Sequence, residues 1–302
     1  MTDGDRIYLL AFDHRGSFQK KLLGIPGEPT VEEAARISEA KEVIFDGFRQ
    51  ALADGLPLAG AGILVDEQFG ADIARGASAL GAQLAMPVEK SGQDEFDFEY
   101  GDDFGEHIAA FDPTYAKVLV RYNPGSDVAM NRRQAERLAR LGEWLHSTGR
   151  AFLFELLVPA EEGQLAAVGG DADRYDRELR PGLMVDTIRE LQSSGVEPDI
   201  WKIEGLDERG DCVRVAEAAR AGGREHVRCV VLGRGGDEQK VVHWLETGAD
   251  VPGFVGFAVG RTIWWDPLER WLAGTSAAET AASIASGYRR LVDAYERAAK
   301  SG

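Results

Sequence analysis

The stretch DIWKIEGLDERGDCVRVAEAARAGGREHVRCVVLGRGG, residues 199–236, decides the fold. It begins with a short apolar run at 199–203, continues with apolar residues at helical spacing over 207–221, and ends with a β-branched run at 227–232. A strand, a helix and a second strand in series predict a parallel pair, because the helix returns the chain to the same edge of the sheet.

The same alternation extends outward to both ends of the chain. Apolar runs typical of strands lie at 7–12, 62–65, 83–88, 117–122, 151–157, 199–203, 227–232 and 253–259. Helical patterns lie at 31–54, 68–80, 131–147, 182–194, 207–221, 237–247 and 267–298, and a short helix is expected at 104–111. Eight strand–helix units in a chain of this length predict a closed (β/α)8 TIM barrel.

A doubly wound open sheet is the structural alternative. It is disfavoured because no Gly-x-Gly-x-x-Gly follows the first strand, where a dinucleotide-binding fold would place it. No low-complexity linker or change of composition interrupts the chain. We therefore expect one α/β domain over residues 1–302.

The composition excludes some classes of partner. The net charge is −17, which argues against binding to nucleic acid or to an anionic membrane, although a small phosphorylated ligand needs only a local basic pocket. The apolar run at 7–12 is far shorter than the ~18 residues of a spanning helix, so a cytoplasmic location is expected. Two cysteines, and five histidines without HxH or HExxH spacing, predict no metal site.

A barrel places its chemistry at the C-terminal ends of the strands. Polar residues are predicted there after every strand: Asp13, His14, Arg15, Asp66, Glu67, Glu89, Lys90, Arg121, Asn123, Glu155, Lys202, Glu204, Arg234 and Arg261.

Lys202 is the candidate nucleophile. In a strand, Lys202 and Glu204 share the face opposite Trp201 and Ile203, and the large apolar pair should face the helices. Lys202 would then point into the barrel, where a charge is costly, so it should be paired or shifted toward the neutral amine. A neutral amine attacks a ketone to form a Schiff base. The alternative is a structural ion pair with Glu204 or Glu155.

Two carboxylates are candidate proton carriers. Glu155 lies between apolar residues of the fifth strand, where burial raises a carboxyl pKa and a nearby ammonium lowers it. It is either an acid–base group or a partner that neutralises Lys202 or Lys117. Asp13 should project into the barrel mouth, unless it forms an Asx-turn or a helix cap. His14 is one step out of phase and is expected at the rim.

The loops after strands seven and eight predict a phosphate site. Gly233-Arg234-Gly235 and Gly260-Arg261 lie where barrels of this kind commonly bind phosphate. Glycine permits close approach of the ligand, and arginine supplies charge-assisted hydrogen bonds. The alternative is two glycine turns whose arginines form surface ion pairs.

Two further cations share the inner face of strand four. Lys117 and Arg121 are both candidates for contact with the substrate. Lys117 lies deeper in the barrel and has the alternative of pairing with Glu155.

Seven motifs follow one another in an order that resembles a known family. They are AFDHRG at 11–16, EKSG at 89–92, LVRYNP at 119–124, FELL at 154–157, WKIEG at 201–205, VLGRGG at 231–236 and GFAVGRTIWWDP at 256–267. Together they resemble the aldolase-like domain often fused behind the sugar kinase of bacterial myo-inositol catabolism, which is associated with 5-dehydro-2-deoxyphosphogluconate aldolase activity. More distantly the chain is similar to tagatose-bisphosphate and sulfofructose-phosphate aldolases, which are class I Schiff-base barrels.

The resemblance implies a role for each matching residue. Lys202 matches the Schiff-base lysine and Glu155 matches the acid–base glutamate. Asp13 matches the strand-one aspartate and Lys117 matches the strand-four lysine. Two further positions, Gly235 and Arg261, fall in the family's phosphate-binding loops. The sequence departs from tagatose-bisphosphate aldolases at two positions. His14 replaces a glutamine and Arg121 replaces a neutral residue. A kinase domain is also missing, so another protein would make the phosphorylated substrate.

The resemblance therefore implies a metal-independent class I aldolase with no cofactor beyond the imine that it forms with its substrate. The expected substrate is 2-deoxy-5-keto-gluconate 6-phosphate, cleaved to dihydroxyacetone phosphate and malonate semialdehyde, with Arg121 binding the carboxylate. An aldolase or transaldolase for another ketose phosphate or sulfo-sugar phosphate is the alternative among enzymes. A non-catalytic sugar-phosphate sensor or partner domain is the alternative of another class. The phosphorylated sugar is the expected partner, and a homo-oligomer is expected.

Overall fold

The computed structural model describes residues 6–301 and contains a closed parallel barrel. Over this part of the chain, eight strands pair in sequence order, and the last pairs with the first. They are β1 (Ile7–Ala11), β2 (Ala61–Leu64), β3 (Gln83–Pro87), β4 (Tyr115–Arg121), β5 (Ala151–Leu157), β6 (Ile200–Glu204), β7 (Arg228–Leu232) and β8 (Phe254–Val259). The predicted (β/α)8 barrel is confirmed, with strand ends within two residues of their predicted positions.

Helices connect the strands and surround the barrel. They are α1 (Val31–Ala53), α2 (Glu67–Leu80), α3 (Phe104–Phe111), α4 (Val128–Ser147), α5 (Glu162–Ala167), α6 (Ala172–Arg174), α7 (Arg180–Ser193), α8 (Arg209–Arg220), α9 (Glu238–Gly248), α10 (Arg261–Leu272) and α11 (Ala277–Ser301). Helices α5 and α6, and the π-helical turn Tyr175–Leu179 that follows, were not predicted from the sequence. The predicted single domain includes residues 1–5 and 302, which lie outside the described chain.

The single helix predicted over 267–298 is wrong, because two helices occupy this region. Helix α10 ends before Gly274, which has a φ of 112° that ordinary residues rarely adopt. Ser276 then begins α11, since its hydroxyl accepts a hydrogen bond from the backbone N–H of Glu279 at 3.2 Å. Helix α10 also begins six residues earlier than predicted, at Arg261, so this residue lies in the first turn of a helix.

The barrel separates two apolar clusters, as strand alternation requires. Trp201 and Ile203 belong to the outer cluster between the strands and the helices, whereas Ile200 belongs to the inner cluster. Leu9, Leu64 and other small or branched side chains complete the inner cluster. The interior is therefore filled, and polar chemistry is confined to the C-terminal end of the barrel.

None of the described helices has the length and apolar character needed to cross a membrane.

Candidate active site

A cavity of about 370 Å³ opens at the C-terminal ends of the strands. The residues predicted to take part in catalysis or substrate binding line it: Asp13, Lys117, Arg121, Glu155, Lys202, Gly233, Arg234, Gly235, Gly260 and Arg261. Four other polar residues predicted at these strand ends do not line it: Asp66, Glu67, Asn123 and Glu204. The arrangement follows from the parallel barrel, since every strand delivers its last inward-facing side chain to the same end. These residues nevertheless differ in what their polar groups contact.

Lys117 lies at the centre of a carboxylate cluster. Its Nζ lies 2.8 Å from Asp13 Oδ2, 2.8 Å from Glu89 Oε1 and 3.0 Å from Glu155 Oε2, and the side chain is 1% exposed. Burial opposes the charge, but the Asp13, Glu155 and Glu89 carboxylates outweigh it and raise the pKa of Lys117 well above its ordinary value. Lys117 therefore stays a cation and links three strands.

Lys202 pairs with Glu155 across neighbouring strands. The two residues are direct partners in the register of β5 and β6, and Lys202 Nζ lies 2.9 Å from Glu155 Oε2. The same oxygen also contacts Lys117. Burial raises the pKa of Glu155, but the ammonium groups of Lys117 and Lys202 outweigh it and hold the pKa below its ordinary value. Glu155 is thus an ionised carboxylate within reach of the Lys202 amine.

The two lysines differ in their number of acidic partners. Among residues 6–301, Glu155 supplies the only carboxylate within 4 Å of Lys202 Nζ, whereas Lys117 has three such neighbours. Transfer of a proton from Lys202 to Glu155 converts this ion pair into two neutral groups, whereas loss of a proton from Lys117 to one carboxylate would leave its other two carboxylates without that cation. The geometry therefore favours Lys202 over Lys117 as the group that becomes a neutral nucleophile.

Asp13 points into the barrel and not toward a turn or cap. Its carboxylate accepts a hydrogen bond from Lys117 at 2.8 Å. Burial raises the pKa of Asp13, but Lys117 and its other charged neighbours reverse the effect and hold the pKa well below its ordinary value. Asp13 is therefore ionised and within the same cluster as Glu155.

Glu89 belongs to the site, although the sequence predicts only its position after β3 and no function for it. It accepts a hydrogen bond from Lys117, and its backbone carbonyl accepts one from Arg15 at 2.6 Å. Burial raises the pKa of Glu89 above its ordinary value, although Lys117 and Arg15 oppose the shift. The position after β3 and the motif around it were the available signals. The contact with Lys117 could not be inferred from them.

The two arginines of the predicted phosphate loops have different surroundings. Arg234 adopts a φ of 50°, and its Nε lies 3.1 Å from Glu204 Oε1. It also forms an ion pair with Asp176, in the π-helical turn after α6. Arg234 therefore connects the C-terminal ends of β6 and β7 to the segment after β5. These contacts match the alternative to phosphate binding, in which the loop arginine forms ion pairs.

Arg261, by contrast, has no carboxylate within 4 Å in the part of the chain that the structure describes. Its guanidinium lies against Gly235, where an added Cβ would come within 2.9 Å of the guanidinium carbon. The φ of Gly235 is 72°, so both backbone and space favour glycine there. Gly260 is equally constrained, since a Cβ would lie 2.0 Å from the carbonyl oxygen of Ala11. The free guanidinium faces the cavity.

Arg121 lies at the opposite rim of the cavity. Its Nη1 donates a hydrogen bond to the backbone carbonyl of Gln93 at 2.9 Å. Other cations that line the cavity are Lys20, Lys21 and Lys90. A protein of net charge −17 thus has a locally basic rim around this cavity.

His14 lines the cavity, and its Nδ1 lies 3.9 Å from Asp13 Oδ1. Its Nδ1 is buried without a hydrogen-bond partner among the described residues, and its ring packs edge-on against Trp264 at 5.5 Å between centroids. Burial lowers the pKa of His14 to about 4, so the imidazole is neutral at physiological pH. Trp264 is fully buried and donates a hydrogen bond to the carbonyl oxygen of Ala11 at 2.9 Å, in keeping with a packing role.

Within residues 6–301, no group of three or more His, Cys, Asp or Glu side chains has an arrangement that could hold a metal ion. The two cysteines, Cys212 and Cys229, are buried and unpaired with each other as a disulfide. Burial raises the pKa of both thiols to about 12.

The closed parallel barrel, with its polar cavity at the C-terminal strand ends, places the protein in the (β/α)8 class. The chain belongs to a family described as uncharacterised proteins conserved in bacteria (DUF2090), whose profile matches residues 2–299. A comparison with curated proteins finds no match.

Solved structures with the same fold include several aldolases. Fructose-bisphosphate aldolase from Plasmodium falciparum is 13% identical, with a TM-score of 0.67 over 98% of this chain and 92% of that one. An archaeal fructose 1,6-bisphosphate aldolase is 15% identical, with a TM-score of 0.58 over 95% of each chain. A Schiff-base-forming fructose-1,6-bisphosphate aldolase is 14% identical, with a TM-score of 0.55 over 93% of this chain and 94% of that one. At these identities the likeness establishes the fold.

Proposed function

We propose that this protein is a class I aldolase that cleaves a ketose phosphate through an imine on Lys202. The observation that carries the proposal is the buried Lys202 amine, 2.9 Å from its carboxylate partner Glu155, in the wall of a cavity that Arg261 also lines. The fold likeness to a Schiff-base-forming aldolase supports the same reaction class. No metal is required, because the iminium acts as the electron sink.

The contacts of Glu155 suit it to the steps that form the imine. Lys202 gives a proton to Glu155, and the neutral amine attacks the substrate ketone. The resulting carbinolamine loses its hydroxyl as water, with Glu155 returning the proton. Lys117 remains charged throughout and keeps Glu155 and Asp13 in place, since it contacts both carboxylates.

The expected substrate is 2-deoxy-5-keto-gluconate 6-phosphate, with the imine at C5. Removal of the C3 hydroxyl proton by a carboxylate, Glu155 helped by Asp13, breaks the C3–C4 bond. The electron pair moves into the iminium and forms an enamine, and C3 leaves as the aldehyde of malonate semialdehyde. Protonation of the enamine at C4 and hydrolysis then release dihydroxyacetone phosphate and restore the Lys202 amine.

The cations at the cavity rim fit a substrate that is anionic at both ends. Arg261 and the backbone around Gly235 and Gly260 are suited to the phosphate, since a guanidinium forms charge-assisted hydrogen bonds with its oxygens. Arg121, whose guanidinium contacts only a backbone carbonyl among the hydrogen bonds of the described residues, is suited to the carboxylate. This pairing favours a phosphorylated keto acid over a ketose monophosphate that has no second anionic group.

The test is borohydride reduction in the presence of a panel of ketose phosphates, with the intact mass of the protein as readout. Wild type should gain the mass of the reduced product fragment with the correct substrate. Lys202→Met should gain none and lose turnover by several orders of magnitude, because a covalent nucleophile is deleted. Lys90→Met, which removes another lysine that lines the cavity, should still form the adduct and keep a turnover far above that of Lys202→Met. A wild type without adduct across the panel would overturn the proposal.

A further inference from the structure

Lys41 is a fully buried lysine on α1, outside the cavity. Its ammonium donates hydrogen bonds to the backbone carbonyls of Phe12 at 2.8 Å and His14 at 3.1 Å, and it forms an ion pair with Asp66. An ammonium has three N–H donors, and these three acceptors satisfy all of them. The aromatic rings of Phe18 and Phe69 lie over the same group, at 5.4 and 6.0 Å.

The two carbonyls that Lys41 holds lie on either side of Asp13. They belong to the residues directly before and after it, at the point where β1 ends and the chain leaves the barrel. Fixing both neighbouring carbonyls restricts rotation of the backbone at Asp13. The Asp13 side chain then has little freedom except to point inward, toward Lys117.

Asp66 anchors the ammonium from the next strand–helix unit. One of its carboxylate oxygens pairs with Lys41, and the other accepts a hydrogen bond from the backbone N–H of Phe69 at 2.9 Å, at the start of α2. The side chain is 1% exposed. Since Asp66 is fixed by the helix it caps, Lys41 is fixed as well, and with it the end of β1.

We propose that Lys41, held by Asp66, is a positioning residue that sets the orientation of Asp13 against Lys117 in the reacting cluster. A buried ammonium is costly, and packing alone would be better served by an apolar side chain. The ammonium donates its hydrogen bonds to the two carbonyls that flank Asp13. This arrangement indicates that Lys41 fixes the backbone where β1 ends. The catalytic consequence of this role rests on the proposed aldolase function, whereas the structural consequence does not.

The test compares wild type with a double variant, Lys41→Met with Asp66→Asn. The pair removes both buried charges together, and asparagine can still cap α2. Arg49→Met is the matched control, because it removes a cation from the exposed face of the same helix. Folding is checked by circular dichroism. The concentration of active sites is measured as the amount of protein that forms the borohydride adduct, and kcat is calculated per active site.

We expect kcat to fall roughly 10- to 100-fold in the double variant, the scale of a misplaced reacting group, with KM within about threefold of wild type. Arg49→Met should match wild type in both constants. A folded double variant with wild-type kcat would overturn the proposal, since a residue that only stabilises the fold would lower the melting temperature and leave kcat unchanged.

A crystal structure of the double variant separates this proposal from the aldolase assignment. The Asp13–Lys117 contact, 2.8 Å in the wild type, should be lost. An unchanged contact would refute the positioning role, whether or not the protein is an aldolase. If the double variant does not fold, Asp66→Asn alone takes its place, with a smaller loss of kcat expected and an unchanged kcat and Asp13 geometry as the contradicting result.

Discussion

Replacement of Arg261 by alanine should mainly weaken binding of the phosphorylated substrate. Arg261 begins α10 at the end of β8, and its guanidinium faces the cavity against Gly235. In the described chain no carboxylate lies within ion-pair distance of it, so the charge is available to a ligand. Arg234, in the neighbouring loop, is instead occupied by Glu204 and Asp176.

The size of the effect follows from the kind of contact that is lost. A hydrogen bond to a charged group contributes about 1.5–3 kcal/mol, which is roughly one to two decades of affinity. The net charge of −17 repels an anionic ligand at long range, so its binding depends on cations in the cavity. We therefore expect KM for the phosphorylated substrate to rise roughly 10- to 100-fold. If the phosphate contact also orients the ketone toward Lys202, kcat falls as well.

Steady-state kinetics with the phosphorylated substrate and an unphosphorylated analogue provide the assay. The analogue should be a poor substrate for wild type and nearly insensitive to Arg261→Ala. Arg270→Ala removes the same charge from the far, exposed end of the same helix and should leave both substrates unaffected. Arg234→Ala should cost less than Arg261→Ala. Equal losses for the two substrates would refute the reasoning and give Arg261 a structural role.

Two further predictions concern metal dependence and pH. Activity should survive prolonged treatment with EDTA, because the iminium replaces a metal as electron sink; loss on chelation and recovery with a divalent ion would contradict this. Burial lowers the pKa of His14 to about 4, so the unfolded chain binds a proton at this histidine at a higher pH than the folded protein does. The free energy of unfolding is therefore at its full value above the ordinary pKa of histidine and decreases as the pH falls from there toward 4. Between pH 7 and pH 5, His14→Gln should therefore lose about 2 kcal/mol less unfolding free energy than wild type in urea titrations, whereas parallel losses would exclude the burial effect.

The sequence predicts the barrel because hydrophobic periodicity is a local signal. The alternation in β6 places Lys202 and Trp201 on opposite faces without knowledge of any other strand, and the structure agrees. The order of strands in a barrel likewise follows from strand–helix alternation. It places Asp13 and Glu155 at the same end of the molecule.

The partners of individual side chains could not be predicted, since they depend on distances between strands. Glu89 and Asp13 both contact Lys117, yet they lie 28 and 104 residues away from it in the chain. Arg234 pairs with Asp176, which lies in a segment for which no regular structure was expected. Lys41 had no functional signal at all, because a lysine in an amphipathic helix is usually on the solvent side.

The most direct test of the central claim is a peptide map of the borohydride-reduced protein. Trypsin normally cleaves after Lys202, whereas an alkylated lysine blocks cleavage, so a Schiff base at this position yields a single modified peptide of residues 190–209. We predict that this peptide carries the added mass of the reduced dihydroxyacetone phosphate fragment. The same mass on a peptide extending through Lys117 (91–121) or Lys90 (76–117), with residues 190–202 and 203–209 recovered unmodified, would contradict the assignment of Lys202.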